Sequence, residues 1–124
     1  NNTTNEADET FTVSLSAPTG GAVTVSPATV TTTITDDDSL LALTSGTATG
    51  TESAGTMTFT VARTGSSTGA VSVPWSLTPG SATAGSDYTA ASGTLSWAAG
   101  DAASKTISVT LLNDTTVETA ETFT

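Results

Sequence analysis

The sequence has no cysteine and no histidine in its 124 residues. Without cysteine there are no disulfides, and the redox compartment is left open. Without either residue the usual general bases and nucleophile partners of enzyme sites are missing. Lys and Arg together number 2, so no basic stripe exists to neutralise nucleic-acid phosphates or to meet an anionic membrane surface. No apolar run approaches the roughly 20 residues that span a bilayer. There is no glycine-rich phosphate loop, no leader resembling a signal peptide and no initiating Met. The chain begins and ends abruptly, as expected of a piece cut from something longer.

What is present is acid. Asp and Glu number 12, for a net charge of −10. They cluster as Glu6-Ala7-Asp8-Glu9, Asp36-Asp37-Asp38, and Asp114 with Glu118 and Glu121. Carboxylates this close repel one another unless a cation sits between them. The chain cannot supply that cation itself, so a bound hard divalent ion, calcium before others, is the simplest way to settle the charge. Paired carboxylates also serve glycoside cleavage, but these sit at strand ends in a repeat, with no sign of a groove.

Elsewhere the period is two. Phe11, Val13 and Leu15 alternate with Thr and Ser, as do Met57, Phe59 and Val61. The same holds for Val71, Val73, Trp75 and Leu77, for Leu95 and Trp97, and for Ile107, Val109 and Leu111; Val30 and Ile34 mark a weaker run. This is the half-buried strand pattern, and β-branched Thr and Val suit it. Pro18-Thr19-Gly20-Gly21, Thr64-Gly65, Pro79-Gly80, Gly85-Ser86-Asp87 and Gly100-Asp101 read as turns between the runs. No helical stretch of useful length appears. The expected architecture is an all-β, immunoglobulin-like antiparallel sandwich, in which Trp75 and Trp97 take inward phases as core residues.

Residues 1–12 and 113–124 are identical at eight of twelve positions, an offset of 112. A fixed period of domain size predicts an array of similar units. The runs Gly80 to Tyr88, Ser92 to Trp97, Asn113 to Phe123, Glu6 to Ala22 and Ile34 to Asp38 resemble, in order and spacing, the Calx-beta domain family. Together they cover nearly the whole chain.

The resemblance implies a seven-stranded sandwich of a kind found in sodium–calcium exchangers, in integrin β4 and in tandem in large bacterial surface proteins. The Thr- and Ala-rich style here looks like the bacterial tandem type. It places the chain out of phase with its repeat. Residues 1–38 look like strands F and G of one unit, and residues 39–124 like strands A to E and the start of F of the next. It also implies calcium ligands at one end of each sandwich. These would be Glu52, Asp87, Asp114, Glu118 and Glu121 in the later unit, and Glu6, Glu9, Asp36, Asp37 and Asp38 in the earlier one. Asn2 stands where the other copy has Asp114, and Asp8, opposite Ala120, looks dispensable. Asp101 reads as a turn residue. Asn1, Asn2 and Asn113 each match the N-glycosylation pattern, which carries little weight in a bacterial-looking sequence.

The reading that follows is a non-enzymatic, calcium-binding repeat of a secreted or cell-surface, adhesin-like bacterial protein. Its partners would be calcium ions and neighbouring repeats, with an unknown distal ligand. A calcium-independent spacer, and an accessory carbohydrate-binding module relying on Trp75 or Trp97, remain open at this stage.

Overall fold

The computed structural model describes residues 4, 6–21 and 23–124. The expectations for Asn1 and Asn2 lie outside the described residues. The alternating runs become strands β1 (Glu9–Ser14), β2 (Thr29–Ile34), β4 (Thr56–Gly65), β5 (Val71–Ser76), β6 (Ser92–Trp97) and β7 (Lys105–Thr110). β3 (Ser39–Leu43) forms from the continuous apolar run Leu40-Leu41-Ala42-Leu43. All named pairings are antiparallel, and there is no α-helix among the described residues.

Three hydrogen-bonded groups result: β3-β4-β7, β5-β6 and the β1-β2 hairpin. In β7, Ile107 and Val109 are buried while Thr106, Ser108 and Thr110 are exposed, as a period of two with one wet face requires. Val61, Ile107 and Val109 from the first sheet meet Trp97 from the second, with Tyr88 and Ala82 between them. Trp97 is 1% exposed, and its indole N–H donates to the Ala103 carbonyl at 2.7 Å. A Trp held this way offers no stacking platform to a sugar, and Trp75 packs against the same core.

Pro79-Gly80 is not the free turn expected. Pro79 forms an antiparallel bridge with Phe123, so the last residues extend the second sheet beside the continuation of β5. The Phe123 ring stacks on Tyr88 with centroids 4.5 Å apart and meets Phe59 edge-on at 6.3 Å. Gly80 is needed for this approach, since a Cβ there would collide with the Thr122 carbonyl oxygen.

The hairpin differs from this body. Each of its residues is exposed. The register pairs Phe11 with Thr32, Val13 with Val30 and Glu9 with Ile34. Phe11, Val13, Val30 and Ile34 therefore share one face, and Leu15 continues it beyond the strand.

Candidate metal centre

Three segments carry acids to one end of the body. Glu52 opens a short 3-10 turn, Glu52–Ala54, between β3 and β4. The turn is tied to the end of β7, because the Leu111 N–H donates to the Gly55 carbonyl at 3.1 Å. Asp87 lies in the loop before β6. Gly85, at φ 93°, takes a left-handed conformation that favours glycine and lets the chain double back. Asp87 Oδ2 accepts the Thr83 N–H at 2.5 Å, and the Leu112 N–H donates to the Asp87 carbonyl at 2.9 Å. The third segment follows β7. There Asp114 Oδ1 accepts the Thr116 N–H at 2.6 Å, and Glu118 and Glu121 come next.

One carboxylate oxygen each from Asp87, Glu118 and Glu121 lies within 4.8 Å of the others. The crowding shows in their acidity. A carboxyl-to-carboxyl hydrogen bond with Asp87 raises the Glu121 carboxyl above its ordinary value, helped by partial desolvation and by the charges of Asp87, Glu118 and Glu52. Partial desolvation raises Glu118, followed by the charges of Asp114, Asp87 and Glu52 and a hydrogen bond with Glu52. Glu52, Asp87 and Asp114 thus all act on Glu118, and Glu52, Asp87 and Glu118 on Glu121. The donors are oxygen alone, the set a hard divalent cation prefers, and an ion among them would replace repulsion with attraction.

A second group forms around the hairpin's open end. Asp36, Asp37 and Asp38 each offer an oxygen within 4.8 Å of the others. With Glu6, Glu9, Ile34 and Thr35 they line an open cavity of about 190 Å³. Glu6 N–H donates to Asp36 Oδ2 at 3.0 Å, and Asp38 N–H to Asp36 Oδ1 at 3.1 Å. Partial desolvation, then the charges of Asp36, Asp37 and Glu6, raise the Asp38 carboxyl. Asp8 is not idle: its Oδ1 accepts the Asp36 N–H at 3.1 Å, tying the two ends of the hairpin together.

Two structural residues complete the picture. Asp101 pairs with Lys105 at 3.0 Å. Its carboxyl is lowered by the Ala103 N–H first and Lys105 second. Arg63, which the pattern of the sequence did not mark, is 5% exposed. Its guanidinium donates to the carbonyls of Asp101, Ser66 and Gly69 at 3.0, 3.1 and 2.7 Å and to Ser39 Oγ at 2.9 Å. The signal available for it was only that a chain with 2 cations had placed this one on a strand rather than in a loop.

The Calx-beta domain family model matches residues 1–38 and 39–124. The chain belongs to the Calx-beta domain family. Among solved structures, this Calx-beta chain is similar to CBD12 from CALX1.2, with 32% identity and a TM-score of 0.61 over 90% of this chain and 46% of that one. It is likewise similar to the calcium binding domain CBD12 of CALX1.1, with 32% identity and a TM-score of 0.60 over 88% of this chain and 45% of that one. The chain spans about half the length of these solved chains. A comparison with curated proteins found no match. The immunoglobulin-like antiparallel sandwich expected from the sequence is the fold observed.

Proposed function

We propose that this Calx-beta chain is a calcium-binding structural repeat of a large secreted or cell-surface, adhesin-like bacterial protein, without catalytic activity of its own. Residues 1–38 are the closing strands of one repeat, and residues 39–124 the opening strands of the next. Asp87, Glu118 and Glu121 hold the ion, with Glu52 and Asp114 beside them. Glu6, Glu9, Asp36, Asp37 and Asp38 do the same work for the neighbouring repeat. Calcium settles the repulsion at each repeat end and stiffens the junction, so that the array extends as a rod and displays a distal ligand-binding region.

The observation that carries this reading is the convergence of three carboxylates within 4.8 Å, two of them with their pKa held above the ordinary value by one another's charges and by partial desolvation, with no cation among the described residues acting on either of them. The description of CBD12 of CALX1.1 as a calcium binding domain supports calcium over magnesium, which demands a tighter octahedral site and keeps its waters. Calcium titration by calorimetry tests it. Binding between micromolar and millimolar, lost when Glu118 and Glu121 become Gln, is expected. A flat titration of the folded protein overturns it.

A further inference from the structure

β4 carries a cation where its pattern calls for an apolar residue. Met57, Phe59 and Val61 take the inward phase of the strand, and Arg63 is the next residue in that phase, 5% exposed. Its donors go to the carbonyls of Ser66, Gly69 and Asp101 and to Ser39 Oγ. Its Nε–H has no partner among the described residues. Burying a guanidinium is unfavourable beside burying an apolar side chain of similar volume. What it adds here is a fixed arrangement of three loop carbonyls.

Asp38 sits on that arrangement. The Ser66 carbonyl accepts from Arg63 at 3.1 Å and from Ser39 Oγ at 2.5 Å, which holds the residue on one side. On the other side the Ser66 N–H donates to the Asp38 carbonyl at 2.8 Å, just past the Ser39–Gly65 pair. The pairing of β3 with β4 therefore reaches one residue into the acidic run. From there the bonds continue into the cluster: the Asp38 N–H donates to Asp36 Oδ1, and the Glu6 N–H to Asp36 Oδ2. The charge of Arg63 acts on Asp101 and is not among the influences on the Asp38 carboxyl. The connection is one of position and not of counter-charge.

We propose that Arg63 is a positioning residue for the Asp36–Asp38 cluster. By fixing Ser66 it seats Asp38, and it thereby ties the ion at the end of one repeat to the folded body of the next. Only the ion rests on the calcium reading proposed above; the seating of Asp38 stands without it. The molecule contains its own control. Asp87, Glu118 and Glu121 lie at the opposite end, where Thr56 pairs with Thr110 and the Leu112 N–H meets the Asp87 carbonyl, about 30 Å away along β4. Loss of Arg63 reaches one cluster and spares the other.

The test follows the backbone amides of the full chain by NMR during a calcium titration. Shifts at Asp36, Asp37 and Asp38 report one cluster, and shifts at Asp87, Glu118 and Glu121 the other. Arg63→Met keeps an apolar stem in the core. It speeds exchange of the Ser66 amide and weakens calcium binding at Asp36–Asp38 by about tenfold, while the far cluster stays within about twofold. Arg63→Lys restores part of both, since an ammonium still donates to the loop carbonyls but lacks the fork that spans them. Should Arg63→Met fail to fold, Ser39→Ala removes one of the two grips on the Ser66 carbonyl and gives the same pattern at about threefold. Equal weakening at both clusters, or faster Ser66 exchange with unchanged calcium binding at Asp36–Asp38, overturns the proposal. If the unmodified chain shows calcium shifts at the far cluster and none at Asp36–Asp38, the calcium reading fails at this cluster and the tie to an ion falls with it. The seating of Asp38 is then decided by the Ser66 amide alone, and unchanged exchange in Arg63→Met overturns it.

Discussion

The same four residues occur twice, and the two copies live differently. Phe123 stacks on Tyr88 and meets Phe59; Phe11 is 50% exposed on a hairpin face. Glu121 lies beside Asp87, whereas Glu9 lines a cavity with Asp36, Asp37 and Asp38. Local sequence sets the extended backbone and the alternation in both copies. What differs is whether a β5 edge and a Tyr88 are within reach. Propensity specifies the strand, and the neighbouring surface decides its burial.

The largest effect expected from breaking this contrast is on stability. Phe123→Ala lowers unfolding free energy by about 2–4 kcal/mol, because a partly buried ring leaves a cavity against Tyr88. Phe11→Ala changes it by less than about 0.5 kcal/mol. Urea unfolding of both variants checks the pair, and equal losses would undo the comparison. Next comes the ion. Removing charge from Glu118 and Glu121 together weakens calcium binding by about tenfold or more. The same change at Glu6 and Glu9, measured by the same calorimetry, leaves binding at Asp87, Glu118 and Glu121 intact.

A pH titration of the calcium-free protein sharpens the contrast further. Glu118 and Glu121 are raised above their ordinary value of 4.5, so the folded chain binds more protons than the unfolded one in the window above that value. Stability therefore falls as pH rises through the window and is regained on acidification. Asp101 is lowered from 3.8 and acts with the opposite sign. Its contribution is present above 3.8 and is lost as pH falls through the lowered value. Thermal midpoints from neutral pH to pH 5 should climb, and the Glu118→Gln, Glu121→Gln double variant should flatten the climb. The smallest effect is at Asp8, whose counterpart Ala120 accepts nothing. Asp8→Ala costs the hairpin about 0.5 kcal/mol, read as faster amide exchange at Asp36, with residues 118–124 unaffected.

The strands were legible where the period was two, because one wet face writes Thr and Ser between the apolar residues, as in β7. β3 was harder, since Leu40 to Leu43 is a continuous apolar run that periodicity cannot assign. The convergence of Asp87 with Glu118 and Glu121 was legible only through the family resemblance; nothing in their spacing says that a loop 31 residues earlier folds onto them. The roles of Asp8 and Arg63 were not legible. Asp8 binds the Asp36 N–H and Arg63 chiefly backbone carbonyls, among them that of the distant Asp101, and backbone groups leave no mark on side-chain pattern.

The Arg63 guanidinium has a consequence for how tension passes through the molecule. A pull on Asp38 arrives at the Ser39–Gly65 pair, the terminal rung of the β3-β4 ladder. An antiparallel ladder loaded at its end peels rung by rung. Here the terminal rung is fastened on both strands, through Ser39 Oγ and the Ser66 carbonyl, and the Ser66 N–H grips the Asp38 carbonyl at 2.8 Å. The same cation reaches the Gly69 and Asp101 turns. Load entering at one point is thereby shared between the β4–β5 and β6–β7 loops, like a rivet through overlapping plates, and the first rung to be peeled is the most firmly fixed.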